Sequence, residues 1–198
     1  LKQIDKPEFV ARRGFGGLVM DGYELPERAV LGGKEFALNT DFRLCLRLLC
    51  YLEESPLPEG LRWRVAAAAF YREPVPEGLL PAAMEYLAKF LAGGADGDRP
   101  GPKLIDWQRD ASAIMAGVNQ VAGMEVRAVE KLHWWTFLSF FHGIKEGQLS
   151  LLVGIRDKLR RGQKLEPHEQ EFYRCNRAWV RMEKPDPEKE RLQKLLNT

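Results

Sequence analysis

The chain is short of cysteine, of one-signed charge and of long apolar runs, and each shortage closes a class of explanation. Only three cysteines occur in 198 residues, Cys45, Cys50 and Cys175. An odd, sparse set does not make a disulfide framework, and a reducing compartment suits it. Cys45 and Cys50 stand five apart on a predicted helix and turn away from each other, so they are not half of a zinc site. They read as core or surface thiols. No uninterrupted apolar run approaches the ~20 residues of a membrane-spanning helix. The longest candidate, Trp134–Phe141, is broken by Thr136 and Ser139. The opening stretch LKQIDKPEFVARRGFGG has no apolar segment of the signal-peptide kind. The expectation is a cytoplasmic protein without a membrane partner.

Thirty basic and 28 acidic residues leave a net charge of +2. Residues 144–198 hold 13 Lys or Arg against 9 Asp or Glu, too mild an excess for a nucleic-acid-binding tail. A hydrophobic fraction of 45% and a charged fraction of 29% are those of an ordinary globular chain.

Signatures of catalysis are also missing. Gly14-Phe15-Gly16-Gly17 follows no strand and has no acidic residue at the dinucleotide-loop distance. There is no Gly-Lys-Ser/Thr phosphate loop and no His-Glu-x-x-His pair. The expectation is a non-enzymatic protein that needs no cofactor and no metal.

What is present is helical periodicity cut by proline and glycine. Arg28–Leu31 and Glu35–Leu38 flank Gly32-Gly33, a hairpin signal because both glycines tolerate positive φ. Asn39-Thr40-Asp41 offers capping oxygens to a helix over Asp41–Glu54. Its predicted apolar stripe is Phe42, Cys45, Leu46, Leu49 and Cys50. Ser55-Pro56-Leu57-Pro58 separates it from a helix over Glu59–Arg72, and Glu73-Pro74-Val75-Pro76 ends that one. A third helix over Leu80–Ala92 carries Ala83, Tyr86, Leu87, Phe90 and Leu91 on one face. Gly93–Pro102 is a loop by composition. Helices are then predicted over Leu104–Val121, Ala128–His142, Leu149–Arg160, Pro167–Glu183 and Pro187–Leu196. The second of these is apolar almost all round, as helices in the middle of a bundle are.

The fold class expected is mostly α, a multi-helix bundle with a small N-terminal β-hairpin. Residues 1–24 read as an extended or poorly ordered N-terminal extension, 25–184 as the helical domain and 185–198 as a C-terminal helical tail. Met20 is a candidate start of the domain, with residues 1–19 as upstream sequence.

Three constellations invite a chemical reading, and each has a structural alternative. Asp106 and Asp110 are expected to share a helix face, as an acid pair or as caps bridged to Arg43, Lys131 or His133. His133 beside Trp134 and Trp135 is a ligand or a hydrogen-bonded core residue. Lys158-Leu159-Arg160-Arg161-Gly162-Gln163-Lys164 is a phosphate contact or a solvated helix end.

Four motifs carry a resemblance. They are Leu25-Pro26-Glu27 with Leu38-Asn39-Thr40-Asp41-Phe42-Arg43; Asp106 with Asp110 and Ile114; Leu132-His133-Trp134-Trp135-Thr136-Phe137; and Val153-Gly154-Ile155-Arg156. In this order the chain resembles the gene-product-fifteen family of long-tailed phages and prophages, viewed as tail assembly chaperones. Ala122-Gly123-Met124-Glu125-Val126 departs from the commoner form, where an aromatic-Gly-Ile-like run precedes the helix.

The resemblance implies a bacterial host cytoplasm and a tail-morphogenesis role. The implied partners are the phage tape measure protein and, beside it, the tail tube protein or a second copy of the chain. The family-motif positions are Asn39, Asp41, Phe42, Arg43, Asp106, Asp110, His133, Trp134, Trp135, Phe137 and Arg156. The exposed side of Leu44–Tyr51 and the C-terminal helices are the expected client face. Two other readings stay open: a structural tail or connector subunit of the virion, and a phage nucleic-acid-binding regulator built on 158–164.

Overall fold

A computed structural model describes residues 24–94 and 102–182. The expected N-terminal extension (all but Glu24), most of the Gly93–Pro102 loop and the predicted helix over Pro187–Leu196 lie outside the described residues.

The chain opens with an antiparallel hairpin, β1 Arg28–Leu31 and β2 Lys34–Ala37, with Leu31 opposite Lys34. Gly32 and Gly33 turn it at φ 58° and 77°, the left-handed pair a two-residue hairpin requires. Ala29, Leu31 and Phe36 face the core while Val30 is exposed. The hairpin is tied to the helices by backbone bonds from Asn39 N to Phe70 O (2.8 Å) and Arg72 N to Ala37 O (3.0 Å).

Eight α-helices follow among the described residues: α1 Phe42–Glu54, α2 Glu59–Phe70, α3 Leu80–Leu91, α4 Ala111–Ala122, α5 Trp134–His142, α6 Gln148–Arg160, α7 Pro167–Cys175 and α8 Arg177–Val180. The mostly helical class with a small N-terminal hairpin is therefore observed. In α3 the predicted face is the buried one, Ala83, Tyr86, Leu87, Phe90 and Leu91. In α1 the stripe is rotated: Phe42, Cys45 and Leu48 are buried, and Leu46, Leu49 and Cys50 only half-buried. Both α2 and α5 pack on α1, and Leu48 joins the core.

Three predicted helices are shorter in the structure. The one expected from Leu104 starts at Ala111. Asp106 takes the N–H groups of Gln108 (3.1 Å) and Arg109 (2.8 Å) with one carboxylate oxygen, a local turn that competes with the helix. Asp106 and Asp110 consequently do not share a helix face. The helix expected from Ala128 starts at Trp134. The preceding segment is held extended by bonds from Phe42 N to Leu132 O (2.9 Å) and Trp134 N to Thr40 O (2.8 Å). Pro167–Glu183 divides at Asn176, whose side-chain amide donates to Phe172 O at the end of α7 (3.0 Å).

The main core is aromatic. Phe42 stacks on Phe137 and Phe70 packs on Phe90, each pair with ring centroids 4.8 Å apart. Trp134 is fully buried and α5 sits against α1 and α4. Both tryptophans also carry a polar duty. Trp134 Nε1 donates to Leu91 O and Trp135 Nε1 to Phe90 O, each at 3.0 Å. Trp134 thereby supplies a donor to a carbonyl at the open end of α3, while Phe90 O also takes the N–H of Gly93 (3.0 Å). A second, smaller core joins Leu152 and Ile155 of α6 to Leu165 and Val180, covered by Phe172 and Trp179.

Candidate functional site

The motif residues fold into two polar clasps. In the first, Asp41 caps α1 by accepting from Arg43 N (2.9 Å). Its other oxygen accepts from Arg43 Nη1 (2.9 Å) and Leu132 N (3.3 Å). Arg43 Nη2 then donates to the carbonyls of Val129 (2.6 Å) and Arg127 (3.0 Å), and its guanidinium lies 4.8 Å from the Phe42 ring centre. Asn39 bridges Ala69 O (3.0 Å) and Arg72 Nε (3.2 Å). Lys131 meets Glu27 at 2.9 Å.

His133 closes this clasp from the start of α5. Its Nδ1 accepts from Trp135 N (3.1 Å), so Nε2 carries the proton it donates to Pro26 O (3.2 Å). Burial holds the imidazole below its ordinary range, with Lys131 adding to the effect against the contrary pull of the Pro26 bond and Glu27. This is a neutral, hydrogen-bonded core histidine, the structural alternative for the His-Trp-Trp motif.

The second clasp joins the other two motifs. Arg156 reaches Asp110 through Nη1 (2.5 Å) and Nη2 (3.0 Å), with both side chains buried. Its remaining donors go to Val180 O (3.0 Å), Trp179 O (2.8 Å) and Leu104 O (2.8 Å). Trp179 Nε1 donates to Asp110 at 2.7 Å. Asp110 therefore bridges to Arg156, and not to Arg43, Lys131 or His133. Asp106 keeps its carboxylate in its own turn. Neither offers an open acid pair, and among the described residues no three His, Cys, Asp or Glu gather to hold a metal ion.

The basic run 158–164 is largely answered locally. Lys158 meets Glu169 with both oxygens at 2.8 Å, and Arg160 and Arg161 both meet Asp157. The solvated helix end is what the geometry gives.

The solvent side of α2 is different in kind. Leu57, just before the helix, and Leu61 and Val65 within it are 39%, 45% and 43% exposed. Ala68 continues the line and is exposed too, while Ala66, Ala67 and Phe70 fill the core side. The helix is apolar on both faces, and among the described residues nothing covers one of them. The side of α1 expected to be open is instead half-covered: Leu44, Leu46, Leu49 and Leu52 pack on the core.

A family model for the bacteriophage Gp15 protein matches residues 24–181. The chain belongs to the bacteriophage Gp15 family. No curated protein and no solved structure matches it. The residues on which the resemblance rested are packing and hydrogen-bonding devices in this fold: Phe42, Trp134, Trp135 and Phe137 in the core, Asn39, Asp41, Arg43 and His133 in one clasp, Asp110 and Arg156 in the other, and Asp106 in a turn.

Sequence reasoning missed Trp179, the third member of the second clasp. It sits in a charged stretch where nothing but its own bulk marks it. The α2 face was also missed, although Leu57, Leu61 and Val65 recur at intervals of four. The Ala66–Ala69 run marks helix propensity but not which side faces water. Among the described residues, no helix is long and apolar enough to cross a membrane.

Proposed function

We propose that this Gp15-family chain is a non-enzymatic tail assembly chaperone of the host cytoplasm, which binds the phage tape measure protein before the tail tube polymerises around it. The observation that carries this reading is the apolar line of Leu57, just before α2, and Leu61, Val65 and Ala68 on it, which the described residues leave uncovered. A tape measure protein awaiting its tube exposes helical apolar stripes that are prone to associate. A solvent-facing helix with its own apolar line buries such a stripe in the helix-on-helix mode.

The energies suit a reversible cover. Complete burial of a Leu or Val side chain is worth roughly 1.5–3 kcal/mol, and here less than half of each remains to be gained. The three large residues together supply about 3 kcal/mol per site before the entropy of association is subtracted. A contact of this size holds by repetition along a long client and yields to a polymerising tube.

The test is co-expression with the tape measure protein of the same phage. That protein stays in the soluble fraction with the chain present and sediments without it. A client that remains insoluble beside an equimolar amount of the chain refutes the proposal. Recovery of the chain at fixed copy number in purified particles would point to a structural tail or connector subunit instead.

A further inference from the structure

The α2 line has borders, and their charge names the partner's chemistry. On the helix, Arg62 flanks the line on one side and Arg64 on the other, with Arg72 just past its C-terminal end. Arg64 is answered by Glu77. Arg62 donates to Leu52 O, its Nε is buried without an acceptor, and it has no carboxylate partner among the described residues. Arg72 donates to the neutral Asn39 amide oxygen and likewise meets no carboxylate there. Of the nearby acids, Glu59 lies toward the far side of α2, Glu73 follows Arg72 in the loop, Glu77 is engaged with Arg64, Glu53 beside Leu52 meets Lys103, and Asp41 (held by Arg43) and Glu130 line the same hollow as Arg72.

We infer that this face takes an amphipathic helix of about three turns whose apolar stripe is bordered by carboxylates. The length follows from the line itself: Leu57 to Ala68 spans about 16 Å at the helical rise per residue. The charge follows from the borders. A partner's Asp or Glu beside Arg62 or Arg72 gains charge-assisted hydrogen bonds at the edge of an apolar contact, where water is partly excluded. A partner bordered by Lys places like charges together as it docks. The inference rests on the reading that α2 receives a client helix, and it specifies which helices are received.

The experiment uses the full chain and three labelled synthetic peptides followed by fluorescence anisotropy. All three carry the same Leu/Ala stripe. One is bordered by Glu, one by Lys, and one is the Glu peptide with a central proline. The Glu-bordered peptide is expected to bind at least tenfold more tightly than the Lys-bordered one, with the difference shrinking as salt is raised. The proline peptide is expected not to bind. Val65→Glu, at an exposed position, is expected to abolish binding while circular dichroism stays unchanged. The double variant Arg62→Gln and Arg72→Gln is expected to remove the preference while retaining binding. Equal affinity for the Glu and Lys peptides overturns the inference, as does binding that Val65→Glu leaves intact. A concentration-dependent dimer that Val65→Glu dissolves and the Glu peptide fails to compete with assigns the face to a second copy and also overturns it. Loss of the charge preference alone leaves the co-expression result standing, so the two readings fail separately.

Discussion

Arg156 grips Asp110 across 46 residues of sequence with two guanidinium nitrogens, at 2.5 and 3.0 Å, in a setting where their side chains are 3% and 0% exposed. Breaking such a pair on one side leaves the other charge buried and uncompensated. Asp110→Ala and Arg156→Ala are each expected to cost about 3–5 kcal/mol in urea unfolding. The double variant Asp110→Ala with Arg156→Ala is expected to cost much less than the two single losses added together, as a double-mutant cycle reads directly. Strict additivity would show that the two residues are not coupled.

His133 makes stability depend on mildly acidic pH. In the fold its imidazole is held below the ordinary value of 6.5, chiefly by burial. A depressed value means that the folded state resists protonation. The contribution is complete above pH 6.5 and is lost as pH falls through the lower folded value. Urea midpoints between pH 7.5 and 5 are expected to decline from 6.5 downward. His133→Asn, which retains an acceptor for the start of α5 but does not titrate, is expected to flatten that slope. An unchanged slope would place the titrating group elsewhere.

The three thiols are expected to react in a fixed order. Burial raises the Cys45 thiol far above its usual range, with Asp41 adding to it. Burial and the neighbouring Glu54, Glu53 and Asp106 carboxylates raise Cys50. Cys175 is exposed. A disulfide-exchange reagent under native conditions should therefore modify Cys175 first and Cys50 later, and reach Cys45 only on unfolding. Mass mapping of time points checks this, and early labelling of Cys45 would contradict its packing.

The hairpin glycines differ in what surrounds them. At Gly33 a Cβ meets open space, so Gly33→Ala pays only for the left-handed backbone, about 1–2 kcal/mol. At Gly32 the added carbon would stand 2.8 Å from Leu79 Cδ2 as well. Gly32→Ala is expected to lower the melting temperature more than Gly33→Ala, and Gly33→Asn to be nearly neutral. The reverse order would mean that Leu79 moves aside without cost.

Much of this architecture was legible in the residues themselves. Proline marks the limits of α2 and α3, Gly32-Gly33 marks the hairpin, and spacing marks the buried face of α3. These are local decisions, set by fixed φ, a missing N–H or a repeat of 3.6 residues. Where α4 and α5 begin was not legible, nor was the partner of Asp110. Those depend on groups brought from elsewhere in the chain: Thr40 and Phe42 hold the run before Trp134 extended, and Arg156 and Trp179 converge on one carboxylate. The sequence alone determined helical class and breakpoints, because each is enforced within a few neighbouring residues. Only the tertiary structure decided which polar groups are spent inside and which apolar face of α2 the described residues leave open, because hydrogen bonds and burial are settled by what the fold places opposite them.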